Sequence, residues 1–249
     1  MNKILLPFII TTLAGISTII GFLVIFFKKN NYDRIIISSL SFAAGVMVCT
    51  SICDLIPESI NLLGSNLSSI NTIIISFLSV LLGTILSMII NYYVPDNKYK
   101  DNKLFRAGII SMIAIILHNI PEGIATFMAS SSNISLGISL ALAIAMHNIP
   151  EGITISVPIY YSTGKKRLAF LYTLISALSE SLGAIICYVI LRKYMTSFIL
   201  GVILSIIAGI MLEISFRTLL PSAKNYNDNK RVIIFFIIGF FFMIFGFFL

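Results

Sequence analysis

Apolar and polar residues in this chain segregate into long blocks rather than alternating at a helical or strand period. Apolar residues dominate eight stretches, about 4–27, 35–59, 68–93, 104–129, 134–161, 168–191, 198–221 and 232–249, and charge collects between them. Each is long enough, as a helix, to cross the hydrocarbon core of a bilayer. Only helices and closed barrels satisfy their own backbone in lipid, and these blocks are too long for barrel strands. The pattern predicts an all-α polytopic membrane protein of eight transmembrane helices, forming one domain over 1–249.

Composition sharpens that expectation. Of the 249 residues, 58% are hydrophobic and only 11% charged, where a soluble domain carries about a quarter. Mean hydropathy is +1.02. A water-soluble globular enzyme and a disordered chain are both excluded. The net charge of +7 sits in short clusters between the apolar blocks, with no basic stripe or aromatic platform, so it indicates topology rather than nucleic-acid binding. With the N-terminus outside, fourteen of the seventeen Lys and Arg fall in inner connections, leaving Lys3, Arg192 and Lys193 outside. The bias predicts that both termini face outward. The first stretch is too long for a signal-peptide core and is kept as a span. The longest inner connection, 94–103, is read as a linker.

Two internal repeats follow. His118-Asn-Ile-Pro-Glu-Gly-Ile124 recurs without change as His147-Asn-Ile-Pro-Glu-Gly-Ile153, in neighbouring helices of opposite direction. A weaker repeat matches helix 2 to helix 7: Leu40, Ser41, Ala44, Gly45, Met47, Ser51, Leu55 and Pro57 recur as Leu204, Ser205, Ala208, Gly209, Met211, Ser215, Leu219 and Pro221. These helices also run in opposite directions, which predicts a 3+2+3 inverted repeat about an axis in the membrane plane.

Both histidines of the protein lie in the duplicated motif. His118 and Glu122, four residues apart, share one helix face, with Asn119 about 100° round. The second copy offers His147, Asn148 and Glu151 to the same centre if the two faces meet. Pro121 and Pro150 should kink their helices and free a carbonyl, while Gly123 and Gly152 allow close approach. Glu122, Glu151 and, on helix 6, Glu180 have no Lys or Arg at similar depth. An ionised carboxylate there costs roughly 2.5–3.5 kcal/mol or more, so these groups are protonated or hold a cation. Imidazole with carboxylate and amide oxygen suits Zn²⁺ first, then Fe²⁺, Mn²⁺ or Cd²⁺. Protons compete for the same ligands, giving a release switch. The bland alternative is a pair of proline-kinked packing units with internally hydrogen-bonded His and Glu. Two identical copies holding every histidine weigh against it.

On these motifs the chain resembles the ZIP (Zrt/Irt-like) divalent-metal transporters, particularly their ZupT-type bacterial branch. The resemblance extends over essentially the whole chain and includes Ser41-Phe-Ala-Ala-Gly-Val-Met47, Ile175-Ser-Ala-Leu-Ser-Glu180 and Ala208-Gly-Ile-Met211. It implies eight helices with outward termini and a two-metal centre. One site would use His118, Glu122, His147 and Glu151; the other Asn119, Asn148 and Glu180, with Glu122 and Glu151 bridging. It further implies import toward the cytoplasm through the cell membrane, a homodimer, and sliding of helices 1, 4, 5 and 6 past the rest. One departure is the 94–103 connection, which lacks the histidines many relatives carry there.

Weaker features have competing readings. Asp54 and Glu58 suit either an outer vestibule or a polar helix end. Glu213 and Arg217 are read as a structural ion pair, and Cys49 and Cys53 as small buried residues rather than soft-metal ligands. Cys187 shows no metal or disulfide pattern. The Phe-rich tail is read as lipid-facing. The chain is therefore expected to be a non-ATP secondary transporter of divalent transition metals with no prosthetic group, contacting membrane lipid and no nucleic acid. A membrane-embedded metalloenzyme would need a His-Glu-x-x-His helix, which is absent. A proton channel leaves the asparagines idle.

Overall fold

The computed structural model describes residues 2–27, 32–65, 67–93, 102–190 and 196–247. The linker reading for 94–103 falls largely outside these residues, as do Lys28, Lys29, Arg192 and Lys193. Among the described residues there are no strands. Eight helices are long and apolar enough to cross a membrane: α1 Ile4–Phe26, α2 Tyr32–Gly64, α3 Ser69–Tyr93, α4 Lys103–Ser132, α5 Ile134–Thr163, α6 Lys166–Val189, α7 Ser197–Lys224 and α8 Asn229–Gly246.

Local chemistry sets their ends. Asn133 stops α4 and starts α5, its side chain accepting from the amides of Ser135 (2.9 Å) and Leu136 (3.3 Å). Gly164, at φ 70°, closes α5 in the left-handed conformation that only glycine adopts cheaply. Thr196 and Asp228 cap α7 and α8 in the same way as Asn133.

Both α2 and α7 outrun their expected ends at Ser59 and Pro221. Each contains a π-turn, Ser51–Leu55 and Ser215–Leu219, just before Pro57 and Pro221. In each, the residue before the proline donates five residues back, Ile56 to the Ser51 carbonyl and Leu220 to the Ser215 carbonyl. The wider turn accommodates a residue that lacks an amide hydrogen, so the helix continues instead of breaking. Pro121 and Pro150 also lie inside continuous helices.

The helices pack in two groups. In the first, α5 packs on α1 and α4, and α6 on α1 and α4; in the second, α2 packs on α8 and α3 on α7. Without a hydrophobic drive between helices in lipid, close backbone approach and polar contacts must hold them. Glycines supply the approach reciprocally. A Cβ on Gly123 would strike the Glu180 carbonyl, and one on Gly183 the Ile120 carbonyl, which locks α4 to α6. Gly21 and Gly152 do the same for α1 and α5, Gly45 and Gly239 for α2 and α8, Gly83 and Gly209 for α3 and α7. Hydroxyls add the polar contacts: Ser205 Oγ lies 2.5 Å from Ser59 Oγ and 2.8 Å from Ser76 Oγ, tying α7 to α2 and α3.

Three minor expectations change. Cys49 is buried as expected, but Cys53, within the π-turn, is exposed. Glu213 is buried and accepts from Ser87 Oγ at 2.5 Å, and no Glu213–Arg217 ion pair within 4.0 Å occurs among the described residues. The π-turn that begins at Ser215 alters the i, i+4 phase on which that pair was expected. In the Phe-rich tail, Phe241 and Phe245 are exposed, while Phe236 and Phe240 pack against the core.

Candidate metal centre

The two motif copies face each other across the α4–α5 interface. His147 Nε2 lies 2.8 Å from Glu122 Oε1, joining one motif to the other. His118 Nε2 lies 3.2 Å from the same Glu122 oxygen and 3.4 Å from Glu151 Oε1. A donor atom from each of His118, Glu122 and His147 falls within 4.8 Å of the others. A tetrahedron of nitrogen and oxygen donors around zinc, at bonds of about 2.0–2.2 Å, has edges of roughly 3.3–3.6 Å. The His118–Glu151 contact of 3.4 Å falls at that spacing, and the two contacts of Glu122 Oε1, at 3.2 and 2.8 Å, are shorter.

The amides are oriented by backbone carbonyls on the flanking helices. Asn119 Nδ2 donates to the Ser176 carbonyl of α6 at 3.0 Å. Asn148 Nδ2 donates to the Ala14 carbonyl of α1 at 3.1 Å and to Glu180 Oε2 at 3.0 Å. Holding each amide by its nitrogen fixes where its oxygen points. Asn119 Oδ1 and Asn148 Oδ1 are buried and have no hydrogen-bond partner. The same holds for Glu122 Oε2, Glu151 Oε2 and Glu180 Oε1, while His118 Nε2 and Glu151 Oε1 make only the ion-pair contacts given above, without hydrogen-bond geometry.

All seven residues are at least nine-tenths buried, with Asn119, Asn148, Glu151 and Glu180 fully so. Buried polar groups are almost always satisfied. These unpartnered acceptors, carried by both motif copies and by α6, offer lone pairs that a cation or protons could take. The bland packing reading accounts for the His147–Glu122 contact but leaves the two asparagine oxygens and Glu151 without a role.

A cleft of about 350 Å³ reaches Glu122 and His147 from the end of the bundle that holds the α4–α5 turn, and Asp54 and Glu58 line its mouth. Asp54 stands on the π-turn of α2. Toward the opposite end, beyond the motif, Ile115, Ile155, Ile159, Met47 and Met211 are buried in one continuous apolar core. The site is thus accessible from one side and packed shut on the other.

Of the residues singled out by sequence, His118, Glu122, His147 and Glu151 come together directly, and Glu180 joins through Asn148. Asn119 is held against α6. The carbonyls of Ala14 and Ser176 carry no sequence signal, since every residue has a carbonyl and only helix register selects these two.

A family model described as ZIP zinc transporter matches residues 93–249. The chain is 38% identical to the zinc transporter ZupT of Clostridium perfringens, over 94% of this chain and 92% of that one. It is 36% identical to the ZupT of Nitratidesulfovibrio vulgaris, over 94% and 92%, and 40% identical to that of Streptococcus mutans, over 91% and 90%. These relatives are transporters, not enzymes. The buried His–Glu cluster, the eight spanning helices and these similarities agree, and the chain is a multi-pass membrane protein belonging to the ZIP family of divalent-metal transporters.

Proposed function

We propose that this protein imports divalent transition metals, Zn²⁺ first, across the cytoplasmic membrane. His118, Glu122, His147 and Glu151 hold one ion; Asn119, Asn148 and Glu180 hold a second, with Glu122 and Glu151 bridging. The observation that carries this reading is the set of buried lone pairs converging from both motif copies without a partner. The names of the similar bacterial proteins support zinc, and the donor chemistry extends to Fe²⁺, Mn²⁺ and Cd²⁺.

The ion enters from the outer side, where Asp54 and Glu58 concentrate cations at the mouth of the cleft. Imidazole and carboxylate replace its water shell, and the apolar plug of Ile155, Ile159 and Met47 bars passage until the bundle rearranges. Alternating access then opens the basic side. With no nucleotide-binding loop in the sequence, the ion gradient or a counter-moving proton drives the cycle. The placing of the basic residues supports outward termini. The two π-turns and the reciprocal glycines, at matching positions of α2 and α7, support an inverted repeat. The exposed apolar faces of α3 and α8 leave room for a second copy.

The test is uptake of radioactive Zn²⁺ into proteoliposomes. The reading expects Glu122→Ala and Glu151→Ala each to reduce uptake to background while the purified variants keep their helical circular dichroism. Undiminished uptake in both would remove the site assignment.

A further inference from the structure

A second polar cavity, of about 560 Å³, lies at the basic end of the bundle between α3, α4 and α7, far along the helices from the metal centre. Lys103 and Arg106 of α4 and Arg217 of α7 line it, with Asn91, Thr218 and Asn225, and none of its described lining residues is acidic. Arg106 is fixed in place, its Nη2 donating to the Asn91 carbonyl at 2.7 Å and to Asn91 Oδ1 at 3.3 Å. Thr218 is more than nine-tenths buried, lines the cavity, and its hydroxyl has no hydrogen-bond partner. An adjoining recess, sharing Asn91, Arg106 and Arg217, holds the carboxylate of Glu213, one oxygen of which is taken by Ser87 while the other has no hydrogen-bond partner. Among the described residues neither Lys103 nor Arg217 has a carboxylate within 4.0 Å.

We infer that this cavity binds a phosphate group, and specifically the headgroup phosphate of an anionic phospholipid. Three cations, an orphan hydroxyl and amide donors form a cradle for a tetrahedral oxyanion. Lipid rather than free phosphate is favoured because an apolar, exposed strip of α3 (Ile85, Met88, Ile89, Tyr92) leads away from it and can receive acyl chains. Basic pockets between transmembrane helices at a membrane face are suited to such headgroups. The occupant would span the seam between the two helix groups, since Lys103 and Arg106 stand on α4 and Arg217 on α7.

Native mass spectrometry of the full chain, titrated with phosphatidylglycerol or phosphatidylcholine, tests this. Phosphatidylglycerol should be retained and phosphatidylcholine should not. The Lys103→Gln/Arg217→Gln variant should need about tenfold or more lipid for the same retention. Thr218→Val, which keeps every charge, should lose about threefold and serves if the double variant does not fold. Equal retention of the two lipids by the unaltered protein overturns the inference, as does retention unchanged in both variants. Displacement of the lipid by millimolar inorganic phosphate overturns the lipid assignment in favour of free phosphate.

Discussion

His147 sits closer to Glu122 on the neighbouring helix, at 2.8 Å, than His118 does on Glu122's own helix, at 3.2 Å. The duplicated motif is therefore one shared centre rather than two self-contained ones. A double-mutant cycle tests this through Zn²⁺ affinity, measured by competition with a chromogenic chelator. Glu122→Gln and His147→Asn should each weaken binding at least about tenfold, and the double variant should be little worse than either. Losses that simply multiply would mean the residues act on separate sites.

Asp54 and Glu58 line the mouth of the cleft but touch neither histidine within bonding distance. Their contribution should be long-range attraction. Asp54→Asn/Glu58→Gln is expected to raise the KM for Zn²⁺ uptake severalfold at low ionic strength and leave the maximal rate unchanged. Near 0.5 M salt, where the screening length falls to a few ångström, the difference should vanish. A fall in maximal rate instead would place these residues in the binding centre itself.

Close packing of α4 on α6 depends on Gly123, whose missing side chain leaves room for the Glu180 backbone. Backbone cannot swing aside, so Gly123→Ala should cost about 1–3 kcal/mol and lower the thermal midpoint in detergent. Gly64→Ala meets only Thr72 side-chain atoms, at 3.9 Å and beyond, and should leave the midpoint unchanged or raise it slightly. Equal midpoints for the two variants would contradict the packing account.

At the start of α8, Asp228 accepts from both the side chain and the amide of Arg231, at 2.9 and 3.1 Å. These bonds, the side-chain one foremost, hold its carboxyl below the usual aspartate range. A depressed value means the cap stabilises the helix at neutral pH and is lost as pH falls through it. Amide exchange at 231–234, corrected for the intrinsic rate, should therefore accelerate on acidification below about pH 4. Asp228→Asn should remove that dependence; a steep response in the variant would assign it to another group.

Most of the fold was legible because sustained apolarity is what a bilayer demands, and all eight spans fall within a few residues of the expected stretches. The ends of α2 and α7 were not, since hydropathy fades before Gly64 and Lys224 and says nothing of the π-turns that let each helix continue past its proline. The buried polar cluster was legible for the same reason as the fold: His118, Glu122, His147, Glu151 and Glu180 are conspicuous where charge is expensive. The supports were hidden. Neither Ala14 nor Ser176 differs from any other small residue, and only the reciprocal glycine contacts set the register that presents their carbonyls to the asparagines. Glu213 misled because its partner, Ser87, lies on a different helix.

The joints between the site-bearing helices are short. A single residue, Asn133, separates α4 from α5, and only Gly164 and Lys165 separate α5 from α6, each joint closed by its own hydrogen bonds. Chain this taut leaves three consecutive rods little freedom to travel separately. Under the proposed transport cycle, joints this short predict that α4, α5 and α6 shift together.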